Sequence, residues 1–201
     1  MLDGSLKPRV EPYLTKAGSL IASIGITANQ ITVAGLGVGL IAAAAIAFQY
    51  FWIGAFLIVV SRIFDGLDGA VARASKPSDF GGFLDIVLDF IFYGAIPIAF
   101  AVADPSANAL AAAILVFSFY VNGASFLAFA IMAEKQKLKT DQRGSKSFFF
   151  TTGLAEATET YAFFIAFCLF PAFFAEIAYV FTVICFYTAL SRIVMTSRVL
   201  K

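Results

Sequence analysis

The sequence predicts an all-α membrane protein with six transmembrane helices plus an N-terminal amphipathic juxtamembrane helix. Three observations carry this. Of 201 residues, 61% are hydrophobic and 13% charged, and the mean hydropathy is +0.90. A soluble domain carries about 25% charged residues. Apolar stretches recur from residue 31 onwards, each roughly long enough to cross a ~30 Å hydrocarbon core. The turns between them alternate sharply in charge.

Taken in order, residues 1–28 form an interfacial segment and residues 29–201 a six-helix core, together one domain. In the first segment Leu6, Val10, Tyr13, Leu14, Ala17 and Ile21 recur at helical spacing opposite Lys7, Arg9, Glu11 and Lys16. That pattern suits a helix lying in the membrane interface, its start shaped by Pro8 and Pro12. No apolar run precedes Leu20, so the segment does not read as a signal peptide. The spans are expected near 29–49, 51–75, 78–103, 107–133, 147–170 and 172–197. Pro77–Ser78, the "DPSAN" of 104–108 and Pro171 mark three of the turns, because proline cannot continue a helix interior.

Lys7, Arg9 and Lys16 precede span one, and Arg73 and Lys76 lie at the turn between spans two and three. Lys135, Lys137, Lys139, Arg143 and Lys146 fill the next such link, and Arg198 and Lys201 follow span six. The turns near 50, 105 and 171 hold no lysine or arginine. The positive-inside rule then puts both termini and the basic loops on the cytoplasmic side. A net charge of +1 gives no reason to expect nucleic acid. Histidine is absent, which removes the usual general base and commonest metal ligand. Cys168 and Cys185, isolated in apolar stretches, read as small buried hydrophobes.

Against this background residues 64–90, "FDGLDGAVARASKPSDFGGFLDIVLDF", stand out. Ionisable groups inside a bilayer are costly and mark function. Asp65 and Asp68 share a face of span two, and Asp85 and Asp89 share a face of span three. Asp79, at the turn, reads as a solvated loop residue. Asp65 and Asp89 are each 12 residues from Pro77, or ~18 Å along a helix. Asp68 and Asp85 lie nine and eight residues away, at about 12–14 Å. Two levels of facing carboxylates result on an antiparallel helix pair. Arg62 and Arg73 cannot neutralise four acids, so hard divalent cations, Mg²⁺ or Mn²⁺, with a diphosphate as further ligand, are the natural complement. A pair of such ions can clamp the attacking and leaving oxygens of a phosphoryl-type displacement. Gly66, Gly69, Ala70, Ala72, Gly81 and Gly82 would leave room for a base or phosphate, or else let helices pack closely.

The run Asp65-x₂-Asp68-Gly69-x₂-Ala72-Arg73-x₇-Gly81-x₃-Asp85-x₃-Asp89 resembles the signature of the CDP-alcohol phosphatidyltransferase family. All eight fixed positions are present, with a spacer one residue shorter than in many members. The six-span layout and length are similar to compact bacterial members, which implies an inner-membrane enzyme with its site facing the cytoplasm and a homodimeric assembly. The resemblance implies that Asp65, Asp68 and Asp85 bind two divalent metals holding the diphosphate of CDP-diacylglycerol. Asp89 would reach the second metal and act as general base on the acceptor alcohol. Gly69, Ala72 and Gly81 would shape the nucleotide pocket, with Arg73 holding the site or the phosphates. Asn29 and Thr32 of "TANQIT" occupy the place of the family's asparagine and threonine, Ala28 replacing the usual proline. Attack by the alcohol on the lipid-linked phosphorus would release CMP.

The acceptor is written less plainly. Lys135, Arg143 and Arg192 are cations for a phosphorylated acceptor, although the 134–146 run also fits a topology-setting loop and Arg192 also fits a snorkelling side chain. Glu156 and Glu159, three apart on span five, would line the acceptor pocket or pair with Arg62 or Arg192. Tyr120, Asn122 and Ser125 could add hydrogen bonds there. The basic residues favour glycerol 3-phosphate; serine, inositol phosphate, choline and phosphatidylglycerol are the alternatives. Two other classes use intramembrane acids. A prenyltransferase would lack the Gly-x₂-Ala-Arg linkage, and a divalent-cation transporter would spread polar groups through the whole membrane thickness.

Overall fold

The structure is a computed structural model that describes residues 3–135, 155 and 157–199. Every regular element among the described residues is helical. They are α1 (Asp3–Ser23), α2 (Ala28–Ala47), α3 (Phe51–Ala74), α4 (Asp79–Ala103), α5 (Pro105–Lys135), α6 (Ala157–Leu169), a 3₁₀ turn (Pro171–Phe173) and α7 (Phe174–Val199). By length and apolarity α2, α4, α5 and the segment Pro171–Arg198 are able to cross a membrane. Helix α3 has 24 residues, ~36 Å at 1.5 Å per residue, but it carries Arg62, Asp65, Asp68 and Arg73. The described part of α6 has 13 residues.

The helix ends follow local chemistry. Thr27 and Gln30 form a capping box at the start of α2: the Gln30 N–H donates to Thr27 Oγ1 (3.3 Å) and the Thr27 N–H to Gln30 Oε1 (2.9 Å). These bonds satisfy two amides that a helix start otherwise leaves orphaned. Gly25 turns the chain from α1 into α2 at φ +85°. Helix α2 stops at Ala47, short of the expected 49, because Gln49 takes φ +65° and sends its side-chain amide to the Ala103 carbonyl. Helix α5 starts at Pro105, two residues early, since proline suits a first helical position. Asp104 caps it, accepting from the Ser106 hydroxyl (2.7 Å) and the Ala107 N–H (3.1 Å). Those bonds hold its carboxyl below the ordinary aspartate range.

Helix α2 packs against both α3 and α4, α4 against α5, α5 against α7, and α6 against α3. Helices α3 and α4, although consecutive, do not pack along each other. Close helix pairs sit about 8–10 Å apart, and opposed carboxylates need a wider gap. The expected antiparallel pair is therefore a wedge, closed on one side by α2. Gly35 and Gly39 let α2 sit down: a Cβ would lie 2.9 Å from Phe64 Cβ at the first and 2.5 Å from the Phe92 ring at the second. The core above the wedge is aromatic. Phe92, Phe100, Phe164, Phe167, Phe174 and Phe181 are fully buried, with Phe100 stacked on Phe174 at 4.5 Å and Phe163 on Phe181 at 4.2 Å. Cys168 and Cys185 are buried among them, as expected.

Helix α1 forms and packs on α3, but on a narrower stripe than the spacing predicts. Leu14, Ala17, Gly18 and Ile21 face inward, whereas Val10 and Tyr13 are exposed. The inward stripe is fixed by close approach: a Cβ on Gly18 would lie 2.7 Å from both Ala70 C and Ala70 Cβ. Backbone cannot yield cheaply, so Gly18→Ala is expected to lower thermal stability in detergent, by about 1–3 kcal/mol of overpacking. Gly37→Ala is the control, because a Cβ there meets nothing within 4 Å among the described residues. Equal melting curves for the two variants would show that α1 does not seat on α3 this way.

Candidate active site

Four helices build the site. Helix α3 presents Asp65 and Asp68 one turn apart, α4 presents Asp85 and Asp89, α2 supplies Asn29 and Thr32, and α6 supplies Tyr161. Ser78 caps α4, accepting the Gly81 N–H at 3.0 Å, and Asp79 sits in the first turn of α4, where a negative charge suits the helix dipole.

One carboxylate oxygen from each of Asp65, Asp85 and Asp89 falls within 4.8 Å of the others. Asp68 is turned toward a cavity of about 640 Å³, whose wall includes Asn29, Thr32, Gly69, Ala72, Gly81 and Asp85. The two matched levels expected from sequence thus become a trio plus one. Asp65 and Asp89 do face each other, bridged by a cation. Asp85 belongs both to the trio and to the cavity wall, and a narrow cleft lined by all four aspartates shares Thr32, Asp68 and Asp85 with the cavity. Asp68 Oδ2 is buried with no hydrogen-bond partner among the described residues, which is costly unless something else satisfies it.

The bridging cation is Arg62. Its Nη1 lies 3.2 Å from Asp65 Oδ1 and 3.2 Å from Asp89 Oδ1, and it also donates to the Tyr161 hydroxyl. The guanidinium carbon sits 4.5 Å from the Phe92 ring centroid and 4.6 Å from that of Tyr161. Such faces favour a cation where water is scarce. Among the described residues Arg62 thus pairs with Asp65 and Asp89. Tyr93, one turn along from Asp89, donates to Asp89 Oδ2 at 3.4 Å and lies 2.9 Å, hydroxyl to hydroxyl, from Tyr161.

The small residues divide into two groups. Gly69, Ala72, Gly81 and Gly82 line the cavity. A Cβ on Gly81 would come within 3.0 Å of Asn29 Oδ1, and one on Gly69 within 3.3 Å of an Arg73 guanidinium nitrogen. Gly66 instead receives Leu14 of α1, and Ala70 receives Gly18. Those two serve helix packing and do not make room for a nucleotide. Lys76 and Ser78 line the cavity as well; in the sequence they read only as a topology charge and a turn residue.

Residues expected near the acceptor are more scattered. Arg192 Nη1 donates to the Asn122 carbonyl (2.9 Å), Asn122 Oδ1 (3.0 Å) and Ser125 Oγ (2.6 Å), joining α7 to α5. Tyr120 points away, 70% exposed. Lys135 ends α5, and neither it nor Arg192 lines the large cavity or the cleft. Glu159 is in the first turn of α6, two residues before Tyr161. Arg143 and Glu156, with Lys137, Lys139 and Lys146, lie outside the described residues.

Comparison with known proteins agrees with the signature. The CDP-alcohol phosphatidyltransferase family matches residues 25–197. An Escherichia coli protein named inner membrane protein YnjF is 42% identical over 193 residues, covering 96% of this chain and 94% of its own. The archaetidylinositol phosphate synthase of Pyrococcus horikoshii is 40% identical over 85 residues, 42% of this chain and 45% of its own. That of Methanothermobacter thermautotrophicus is 43% identical over 74 residues, 36% of this chain and 38% of its own. The shorter matches leave more than half of the chain unpaired, whereas the family match takes in the cavity wall apart from Ala22, the carboxylate trio and all of α2 to α6. This chain belongs to the CDP-alcohol phosphatidyltransferase family.

Proposed function

We propose that the chain transfers a phosphatidyl group from CDP-diacylglycerol to an acceptor alcohol and releases CMP, using Asp65, Asp68, Asp85 and Asp89 to hold two divalent ions. The observation that carries this is the convergence of three carboxylate oxygens within 4.8 Å beside a nucleotide-sized cavity. The donor set is entirely carboxylate oxygen, as Mg²⁺ or Mn²⁺ requires. The buried, unsatisfied Asp68 Oδ2 is one more oxygen in want of a cation. Bound there, such ions would offset the charge of the diphosphate and of the departing phosphate.

The chain's own groups do the rest. Gly69, Ala72, Gly81 and Gly82 let a flat base and its phosphates approach the backbone, with Asn29 and Thr32 on the facing helix, Lys76 in the cavity wall and the Arg73 guanidinium beside Gly69. Asp89 receives the proton of the acceptor hydroxyl. The acceptor oxygen forms its bond to the lipid-linked phosphorus as the bond to CMP breaks, and CMP leaves with the electron pair. The aromatic core above Arg62 keeps water from the far side.

The same reading makes one domain of six spans, 29–201, preceded by the interfacial helix, with termini and site toward the cytoplasm and two copies per assembly. Family membership replaces the prenyltransferase and transporter alternatives. For the acceptor we favour a phosphorylated one, glycerol 3-phosphate first. Support comes from the basic residues Lys135, Arg143 and Arg192 of the sequence, although neither Lys135 nor Arg192 lines the cavity or the cleft, and from relatives named archaetidylinositol phosphate synthase. Purified protein with Mn²⁺ and CDP-diacylglycerol should release CMP when offered the right alcohol from a panel including glycerol 3-phosphate, inositol phosphate, serine, choline and phosphatidylglycerol. A chelator should stop the release. If no alcohol raises CMP above background, the transferase reading is wrong.

A further inference from the structure

We infer that Tyr161 and Tyr93 are positioning residues that, with Arg62, close a hydrogen-bonded ring around Asp89 and fix both oxygens of its carboxylate. The inference rests on the proposed role of Asp89 and deepens it.

The donors settle the direction of the ring. Arg62 has only N–H groups to give, so it donates to Asp89 Oδ1 at 3.2 Å and to the Tyr161 oxygen. Asp89 Oδ2 can only accept, so the single Tyr93 hydroxyl hydrogen goes to it, across 3.4 Å. Tyr93 then has no hydrogen left for Tyr161, and the 2.9 Å contact between the hydroxyls must be Tyr161 donating to Tyr93. One arginine thus reaches both carboxylate oxygens, one directly and the other through two tyrosines. Three side chains from three helices define the plane of Asp89, which keeps one oxygen within 4.8 Å of carboxylate oxygens of Asp65 and Asp85.

Neither tyrosine lines the large cavity or the cleft, so neither is placed to touch the nucleotide. Both rings also pack: Tyr93 lies 6.1 Å from Tyr161 and 6.4 Å from Phe164, and Tyr161 lies 6.4 Å from Phe92. Replacement by phenylalanine keeps these contacts and the face offered to Arg62, and removes only the hydroxyl. Residues that orient ligating side chains typically cost about 10–100-fold in affinity or activity when lost.

Tyr161→Phe, Tyr93→Phe and the double variant form the test, with two readouts on each. One is steady-state CMP release, separated into kcat and the KM for CDP-diacylglycerol. The other is Mn²⁺ affinity without substrate, followed by electron paramagnetic resonance. Each single variant should lower kcat about tenfold, leave KM within about twofold, and weaken Mn²⁺ binding. The double variant should be no worse than the poorer single, because a ring already opened cannot be opened again. Effects that multiply in the double variant would overturn the inference, as would single variants with unchanged kcat and unchanged Mn²⁺ affinity. Should the parent protein release no CMP with any alcohol, the transferase reading falls by itself. Mn²⁺ affinity of Tyr161→Phe then decides the ring: a weakened affinity supports it and an unchanged one overturns it.

Discussion

Asp89→Asn is expected to lower CMP release by about 10²–10⁴-fold, the range a general base contributes, while leaving CDP binding in place. The amide is nearly isosteric, and its oxygen can still accept from Arg62 Nη1, which lies 3.2 Å away in the parent. What it loses is the negative charge and the ability to take a proton. Asp89 lines the narrow cleft and is absent from the wall of the large cavity, so the nucleotide should still enter and be held. Radiolabelled CMP release and calorimetric titration with CDP measure the two properties separately. Activity within tenfold of the parent would remove Asp89 from the chemistry. Lost CDP binding would instead place it among the nucleotide's ligands.

Asp85→Asn is expected to fail differently, losing Mn²⁺ binding, CDP binding and turnover together. Asp85 is the one aspartate that both belongs to the converging trio and lines the large cavity. A bound cation stabilises developing phosphate charge by several kcal/mol, so the rate should fall by about a thousandfold or more, each 1.36 kcal/mol being tenfold. Paramagnetic resonance of Mn²⁺ and CDP titration in its presence provide the check. Normal CDP affinity with Mn²⁺ would show that the diphosphate is not held through this carboxylate. Together the two variants separate binding from chemistry along one face of α4, four residues apart.

The acids were legible because a bilayer makes every one of them conspicuous. Asp65, Asp68, Asp85 and Asp89 needed only the helical period and a turn at Pro77 to be placed on facing surfaces. The period does not say how far apart two consecutive helices stand. Their splaying, and the resulting trio plus one, depend on α2 wedging against both through Gly35 and Gly39. Arg62 showed as a flanking charge, but its partners did not, since cation, acceptor and ring come from three helices. Tyr161 carried no signal in a chain with 24 phenylalanines and 7 tyrosines. Tyr93 carried a faint one, four residues after Asp89 on the same face. Gly66 and Gly69 look alike in sequence; only the arrival of Leu14 from α1 assigns one to packing and the other to the cavity. Helix ends slipped by two residues where Gln49 adopts a positive φ that nothing in its type announces.

The seat of α1 on Ala70 has a practical side for anyone trimming this protein. The family match begins at residue 25, and a chain cut there would look complete by homology. It would lose Leu14 and Gly18, which pack on Gly66 and Ala70 of α3, and Ala22, which lines the cavity itself. A shortened protein would keep every signature residue and present them on a helix with one flank stripped. Purification tags and fusion partners therefore belong ahead of α1 or after α7, and an inactive truncation would say nothing about the aspartates.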